Sequence, residues 1–238
     1  MKRIISLALC FMLALILCQP TFAAGNTMTW TGASNGNWNV GDNWDPAQVP
    51  GLGDTAVIPA PTVAAVVYNT TSVTLDCSGE VSVESDKNLW LTGTSYLKGN
   101  GKLSGDGNVI IFVDNSELQW SGGSIDGNGT FTVGENTRLV IETGSDVGMS
   151  RPLENNGQIM LNAGGLYLAG GGTGEGTFTV SNGAYLHFEQ GDYSFGGNFV
   201  NGGDMTIWDD SSVSFNAGYQ QGNTGTLALK AWGSGSNE

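Results

Sequence analysis

GNGTFTVGENTRLVIE, residues 127–142, returns in altered form as GEGTFTVSNGAYLHFE at residues 174–189. At a constant offset of 47 residues, 8 of the 16 aligned positions are identical. A second pair follows at nearly the same offset, NNGQIML at 155–161 and NGGDMTI at 201–207. Self-similarity of this kind is typical of stacked supersecondary units that contact only their neighbours. The sequence therefore predicts a repeat protein rather than a single globular core.

The repeated segments have the pattern of very short β-strands. Apolar and polar residues alternate in triplets such as Phe131-Thr132-Val133 and Leu186-His187-Phe188, and Gly, Asn, Asp and Ser separate the triplets. Strands this short suit a coil that bonds to the coils above and below it, about 4.8 Å away. Turn motifs between 105 and 222 recur every 19 to 28 residues. Alternating long and short coils would then make the 47-residue offset equal to two coils.

These patterns predict an all-β fold, a single-stranded, right-handed parallel β-helix (β-solenoid) of roughly eight coils. The coils are expected to span residues 59–230 and to precede a flexible, Gly/Ser-rich tail at 231–238. The alternative is an antiparallel β-sandwich of many short strands. A sandwich, however, would not need its turns and inward residues to recur at one offset.

Residues 1–23 are predicted to be a secretory signal peptide. Lys2 and Arg3 precede an apolar run over 4–17 that is short for a membrane span. A membrane anchor and, through Cys18, a lipoprotein are the alternatives. Removal of the signal predicts a secreted or cell-surface protein with no membrane insertion.

The composition excludes several classes of function. The chain carries 22 Asp and Glu against 8 Lys and Arg, a formal net charge of −14 at pH 7. No basic patch of the kind that binds nucleic acid can form, and an anionic membrane surface is disfavoured for the same reason. Removal of the signal would leave Cys77 alone, which excludes an intramolecular disulfide.

Residues 24–58 form a separate, tryptophan-rich segment. Trp30, Trp38 and Trp44 lie within fifteen residues, interleaved with Gly, Asn and Pro. The first coil of a solenoid has unpaired backbone groups on its outer edge. Three indole side chains, each burying on the order of 200 Å², would cover that edge. We predict a structural cap, with a carbohydrate-stacking surface as the alternative, and expect that an uncapped last coil would allow end-to-end self-association.

The pattern W-x-G…G-x-W…N-W…V-P-G…G-D-x-x-x-I across residues 28–58 resembles the start of extracellular bacterial β-helix proteins of the autotransporter-passenger, adhesin-like type. In those proteins Gly-rich coils follow, as they do here at 127–133 and 174–180. The resemblance implies an extended β-helix on the cell surface that contacts glycans or proteins. The sequence departs from the pattern because no translocator or anchor segment is recognisable in it.

Few residues suit catalysis. His187 is the only histidine, and because its neighbours are expected to point inward, its ring is predicted to face solvent. Glu142 and Glu189 occupy matching repeat positions, which predicts a separation of two coils, about 10 Å. We therefore predict a protein that is not an enzyme. The alternative is a small polysaccharide lyase or glycoside hydrolase on the same scaffold.

The sequence predicts no cofactor, since no acidic segment completes a metal-binding motif. The densest acidic group is Asp204, Asp209 and Asp210, for which Ca²⁺ bound through loop oxygens is the alternative to solvated turns.

The central residues of the triplets are expected to face solvent, and four of them form the candidate ligand-binding set: Trp90, Tyr167, His187 and Trp208. Aligned coils would place such residues in a strip suited to a glycan or a protein. The predicted function is that of a secreted or cell-surface structural or adhesive protein that binds extended ligands without catalysis. Its predicted partner is an extracellular glycan or a surface protein.

Overall fold

The computed structural model describes residues 25–61 and 64–230, so the predicted signal peptide and tail lie outside the described residues. Within these ranges, strands account for nearly all regular structure, and the one helical element is a 3₁₀ turn at Gly41–Asn43. The strands, in chain order, are β1 (Thr27–Trp30), β2 (Trp44–Asp45), β3 (Thr55–Ile58), β4 (Ala65–Val67), β5 (Thr71–Cys77), β6 (Glu80–Val83), β7 (Asn88–Leu91), β8 (Thr94–Leu97), β9 (Lys102–Gly105), β10 (Asn108–Ile111), β11 (Glu117–Trp120), β12 (Ser124–Ile125), β13 (Phe131–Val133), β14 (Arg138–Met149), β15 (Leu153–Asn155), β16 (Gln158–Leu168), β17 (Gly172–Gly174), β18 (Thr177–Val180), β19 (Tyr185–Phe188), β20 (Gly191–Phe195), β21 (Asn198–Asn201), β22 (Asp204–Trp208), β23 (Ser211–Phe215), β24 (Gly218–Gln221) and β25 (Thr226–Lys230).

The strands stack into three parallel ladders, which we call faces 1, 2 and 3 in the order that the chain visits them in each coil. Face 1 holds the start of β5 and then β7, β10, β13, β15, β17, β20 and β23. Face 2 holds β1, β3, the end of β5, β8, β11, the starts of β14 and β16, β18, β21 and β24. Face 3 holds β4, β6, β9, β12, the ends of β14 and β16, β19, β22 and β25.

This arrangement is a β-solenoid of about nine turns, and it confirms the predicted parallel β-helix. From β3 onward, residues that pair across neighbouring coils are 16 to 24 positions apart, so a coil is close to the length predicted for the short ones. The ladder already begins at β1 and β3, inside the predicted cap segment.

The core is a set of inward columns, one side chain from each coil. Along face 2, Phe178 lies over Phe199 with ring centroids 4.9 Å apart, and Phe199 lies over Tyr219 at 6.1 Å. The buried apolar residues of all three faces form one continuous cluster. The column arises because strict alternation in a strand sends every second side chain inward, and parallel in-register pairing aligns those side chains.

The interpretation of the 47-residue offset as two whole coils is wrong. Phe131 lies on face 1, where it pairs with Leu153, whereas Phe178 lies on face 2, where it pairs with Ile159. The offset therefore spans two coils plus one face. The longer of the predicted coils arose because turn motifs from different corners were counted as one series. A parallel solenoid places similar corners between each pair of faces, so that one turn sequence fits more than one of them.

Two buried asparagines show what the second repeated motif does. Asn155 ends a face 1 strand and donates from its side chain to the carbonyl of Thr177, 3.0 Å away. Asn201 ends a face 2 strand and donates to the carbonyl of Thr226 at 2.8 Å. Each Asn thus satisfies a carbonyl of the following coil at its own corner. The repeat carries the chemistry of a corner, which explains why it recurs on successive faces.

The tryptophan segment closes the first coil. β2 runs antiparallel to β1, and Trp30, Trp38 and Trp44 are at most 3% exposed. The ring of Trp44 meets Trp30 at 5.0 Å and Trp38 at 4.6 Å, both edge to face. Its indole nitrogen donates to the carbonyl of Trp38 at 2.9 Å.

A buried asparagine organises the loop of this cap. The side-chain oxygen of Asn43 accepts from the backbone nitrogens of Ser34 at 2.8 Å and Asn35 at 2.9 Å. Its amide nitrogen donates to the carbonyl of Asn37 at 2.9 Å. One side chain therefore fixes a loop that has no ladder of its own.

Gly127→Ala is expected to destabilise the solenoid by about 1–3 kcal/mol, because Gly127 has a φ of +114° and a Cβ there would lie 2.1 Å from the carbonyl oxygen of Gly105. Gly144→Ala is the matched control, since a Cβ at Gly144 meets nothing within 4 Å. Urea unfolding followed by circular dichroism measures the difference. Equal midpoints for the two variants would contradict the close packing at this corner.

Candidate ligand-binding surface

The structure brings three of the four predicted binding residues onto one face. Tyr167, His187 and Trp208 lie at outward, partly exposed positions on face 3. Trp90 lies on face 1, where it pairs with Ile110 of the next coil. A single strip through all four residues is therefore not formed, because Trp90 and the others project from different sides of the solenoid.

The centre of the face 3 site is a group of three rings. Tyr167 and His187 occupy the same outward column on neighbouring coils, with ring centroids 4.6 Å apart. Tyr185 lies two residues before His187 in β19, and its ring is 6.4 Å from Tyr167 and 5.7 Å from His187. In-register parallel pairing makes these contacts, since it stacks outward side chains as it stacks inward ones.

Asp146 joins the two tyrosines. The hydroxyl of Tyr167 donates to one of its carboxylate oxygens at 3.1 Å, and the hydroxyl of Tyr185 donates to the other. Tyr185 reaches Asp146 across the intervening coil because Gly165 stands between them in the column, and a Cβ on Gly165 would lie 2.1 Å from the Tyr185 ring. We call Asp146, Tyr167, Tyr185 and His187 the tyrosine–histidine patch.

The surroundings set the protonation of the patch. The hydrogen bond to Asp146, with a smaller contribution from burial, raises the pKa of Tyr185 to about 12. Burial and the same carboxylate raise the pKa of Tyr167. Burial lowers the pKa of His187, against the opposing charge of Glu189. At neutral pH both phenols are therefore protonated and donate to Asp146, and the imidazole of His187 is neutral.

Trp208 extends the surface beyond this patch. It follows Thr206, the partner of His187, by two residues, so its side chain projects from the next outward column of face 3. The ammonium of Lys230 lies 5.0 Å from the Trp208 ring centroid, a cation–π contact. The aromatic surface of face 3 thus continues from the patch towards the last coil.

Trp90 belongs to a smaller apolar area on face 1. Its ring packs against Phe112 at 5.0 Å, and Phe112 is 49% exposed. Within the structure its buried indole nitrogen has no hydrogen-bond partner. This area is separate from face 3.

Face 2 carries an open groove of about 310 Å³, whose lining includes Tyr96, Gln119, Val140 and Glu142. The prediction that Glu142 and Glu189 occupy equivalent positions is wrong. Glu142 continues a face 2 strand, whereas Glu189 follows a face 3 strand. They match in sequence because each follows the last inward residue of a face, Ile141 on face 2 and Phe188 on face 3.

Sequence reasoning missed Asp146 and Tyr185. Tyr185 precedes His187 by two residues and so shares its side of the strand, a signal that the sequence does carry. Asp146 had no such signal, because β14 bends from face 2 to face 3 with a break in register between Glu142 and Asp146. Only the three-dimensional structure shows which side chains in the second half of β14 point outward.

Among the described residues, no three His, Cys, Asp or Glu side chains converge in a way that could hold a metal ion, so Asp204, Asp209 and Asp210 do not form such a group there. Along the same part of the chain, no helix has the length and apolar composition needed to cross a lipid bilayer. Comparisons with protein-family profiles, curated proteins and solved structures found no match to this chain.

Proposed function

We propose that this chain is a secreted or cell-surface β-solenoid that binds an extracellular glycan along face 3 without catalysis. The observation that carries the proposal is the tyrosine–histidine patch, in which two tyrosines hydrogen-bond one carboxylate on an outward surface and a histidine ring packs against both of them. The signal-like N-terminal segment and the resemblance to adhesin-like β-helix proteins support an extracellular setting. A surface protein is the other partner class that such a site would suit.

The chemistry of the patch matches a sugar ring. Aromatic faces pack on the apolar C–H face of a pyranose, and carboxylate and phenol oxygens exchange hydrogen bonds with its hydroxyls. Asp146 is already oriented by two phenols, which reduces the ordering needed when a ligand binds. The abundance of acidic residues favours a neutral or cationic glycan over an anionic one.

The shape of the site supports extended binding. Tyr167 and His187 lie on successive coils, and Trp208 lies one coil beyond His187. Coils are about 4.8 Å apart, close to the length of one sugar residue, so consecutive sugars of a chain could contact consecutive coils. Each contact would be weak, and affinity would come from several of them together.

Tyr167→Ala is expected to weaken glycan binding about 10-fold or more, since it removes one ring and one of the two donors that orient Asp146. A glycan array with residues 25–238 identifies the ligand, and titration calorimetry then compares the variants. Tyr96→Ala is the control, because Tyr96 is an exposed tyrosine on face 2, away from the patch.

Gly165→Ala tests the geometry without removing any ring. The added methyl group would displace the Tyr185 ring from Asp146, so binding should weaken while the fold persists. Equal affinity of wild type, Tyr167→Ala and Gly165→Ala would exclude face 3 as the site. Release of reducing sugar by the wild-type protein would replace the binding proposal with the enzyme alternative.

A further inference from the structure

The C-terminal end of the described solenoid is open. In the last coil, formed by β23, β24 and β25, no residue is fully buried, and Leu227 is 46% and Leu229 is 77% exposed. Phe215 and Tyr219 pack against the core on one side only. Each strand of this coil pairs with the preceding coil, so half of its backbone groups point to the open side.

The opposite end cannot receive this edge. β2 runs antiparallel across β1, and the three cap tryptophans are buried beneath the loop that Asn43 holds. A head-to-tail stack of copies would require a free parallel edge at the N-terminal end. End-to-end contact between two copies is therefore open only to their C-terminal ends.

Electrostatics favour that contact. Residues 211–230 contain no Asp or Glu, and Lys230 is their one charged side chain, in a chain that carries 22 acidic residues. The last coil itself therefore carries no negative charge that would repel a second copy, and the carboxylates of Asp192 and Asp204 belong to the preceding coil, where they accept from Ser212 and Thr226. The coil also presents about 20 residues, the lower limit for one side of a stable interface.

We propose that the last coil docks against the last coil of a second copy of this chain, giving a closed two-fold dimer. Two-fold symmetry makes the facing edge strands of the two copies antiparallel. Antiparallel pairing lets the free backbone N–H and C=O groups of both edges form hydrogen bonds. The apolar side chains at the two ends, Leu229 among them, are buried between the copies. The dimer stops at two because each copy has a capped end facing outward.

Sedimentation velocity of residues 25–238 over a range of concentrations tests the proposal. The wild-type chain should show a reversible monomer–dimer equilibrium that does not proceed to larger species. Leu229→Asp should raise the dissociation constant at least 10-fold, because it places two carboxylates at the interface. Leu52→Asp is the matched control: Leu52 is 74% exposed near the opposite end, and its replacement should leave the equilibrium unchanged.

A chain shortened to end at Lys230 tests whether the last coil or residues 231–238 form the contact between copies. Unchanged dimerisation of this shortened chain supports docking through the last coil. A monomeric wild type together with a dimeric shortened chain would show that residues 231–238 cover the edge, and would overturn the proposal. Filaments, or a dimer insensitive to Leu229→Asp, would also overturn it. Glycan binding does not enter these measurements, so their outcome is independent of the proposed function.

Discussion

Arg151→Met is expected to lower the free energy of unfolding by about 3–5 kcal/mol. Arg151 is fully buried. Its guanidinium donates to the carbonyls of Asp126 at 2.6 Å, Gly107 at 2.7 Å and Gly105 at 2.8 Å. One side chain thereby joins the corners of three successive coils.

The charge of Arg151 is retained despite burial. Desolvation lowers the pKa of the guanidinium to about 10, with Asp126 and Asp106 acting in the opposite direction. The group therefore remains protonated at neutral pH, and carbonyl dipoles compensate the charge. Methionine fills part of the space but donates nothing, so carbonyls that lie away from water lose a charged donor.

Arg138→Met is the matched control for this experiment. Arg138 carries the same side chain on the surface, where it pairs with Glu117 at 2.8 Å and is 49% exposed. Its loss should change stability much less than the loss of Arg151, because its guanidinium is half exposed and Glu117 keeps a hydrogen bond from Gln119. Arg151→Lys should fall between the two, because an ammonium cannot donate in the planar fork that reaches all three carbonyls. Urea unfolding together with hydrogen exchange at residues 105–107 measures the effect. Equal stability of Arg151→Met and Arg138→Met would refute the proposed role.

Trp44→Ala is expected to destabilise the N-terminal end by about 3–5 kcal/mol. Trp44 is 3% exposed, contacts the rings of both Trp30 and Trp38, and donates to the carbonyl of Trp38. Its removal leaves a cavity at the centre of the cap and frees the β1 edge from β2. Because coils in a solenoid depend on their neighbours, the loss should begin at this end and spread.

Hydrogen exchange resolved by residue checks this order of events. Amides of β1 and β3 should lose protection first, while those of β16 and β19 keep it. The Trp44→Ala protein should also associate more readily, since a parallel edge becomes available at the N-terminal end. Tyr68→Ala, at a tyrosine that is 46% exposed, serves as the control. Uniform loss of protection along the chain would show that the cap does not act locally.

The order of amino acids was sufficient to predict an all-β, coil-forming chain with a tryptophan-rich first coil. These features depend on local alternation and on turn residues, both of which are properties of a short segment. The triplets around Phe131 and Leu186 are short strands with buried apolar ends, as the pattern indicates.

The register between coils required the three-dimensional arrangement, because it depends on how many corners separate two similar segments. The matching sequences around Phe131 and Phe178 predicted equivalent positions for these two residues, yet they lie on different faces. Without the register, the sequence could not predict that Trp90 lies on a different face from the other candidate residues. It also could not predict that Asp146 lies beside Tyr167 and Tyr185. Arg151 shows most clearly that contacts between coils cannot be predicted from the sequence. A lone arginine in a turn-like segment carries no local sign of burial, and its partners lie 25, 44 and 46 residues earlier in the chain. Alternation along a strand is a local property, whereas the meeting of side chains from successive coils depends on the exact length of every coil between them.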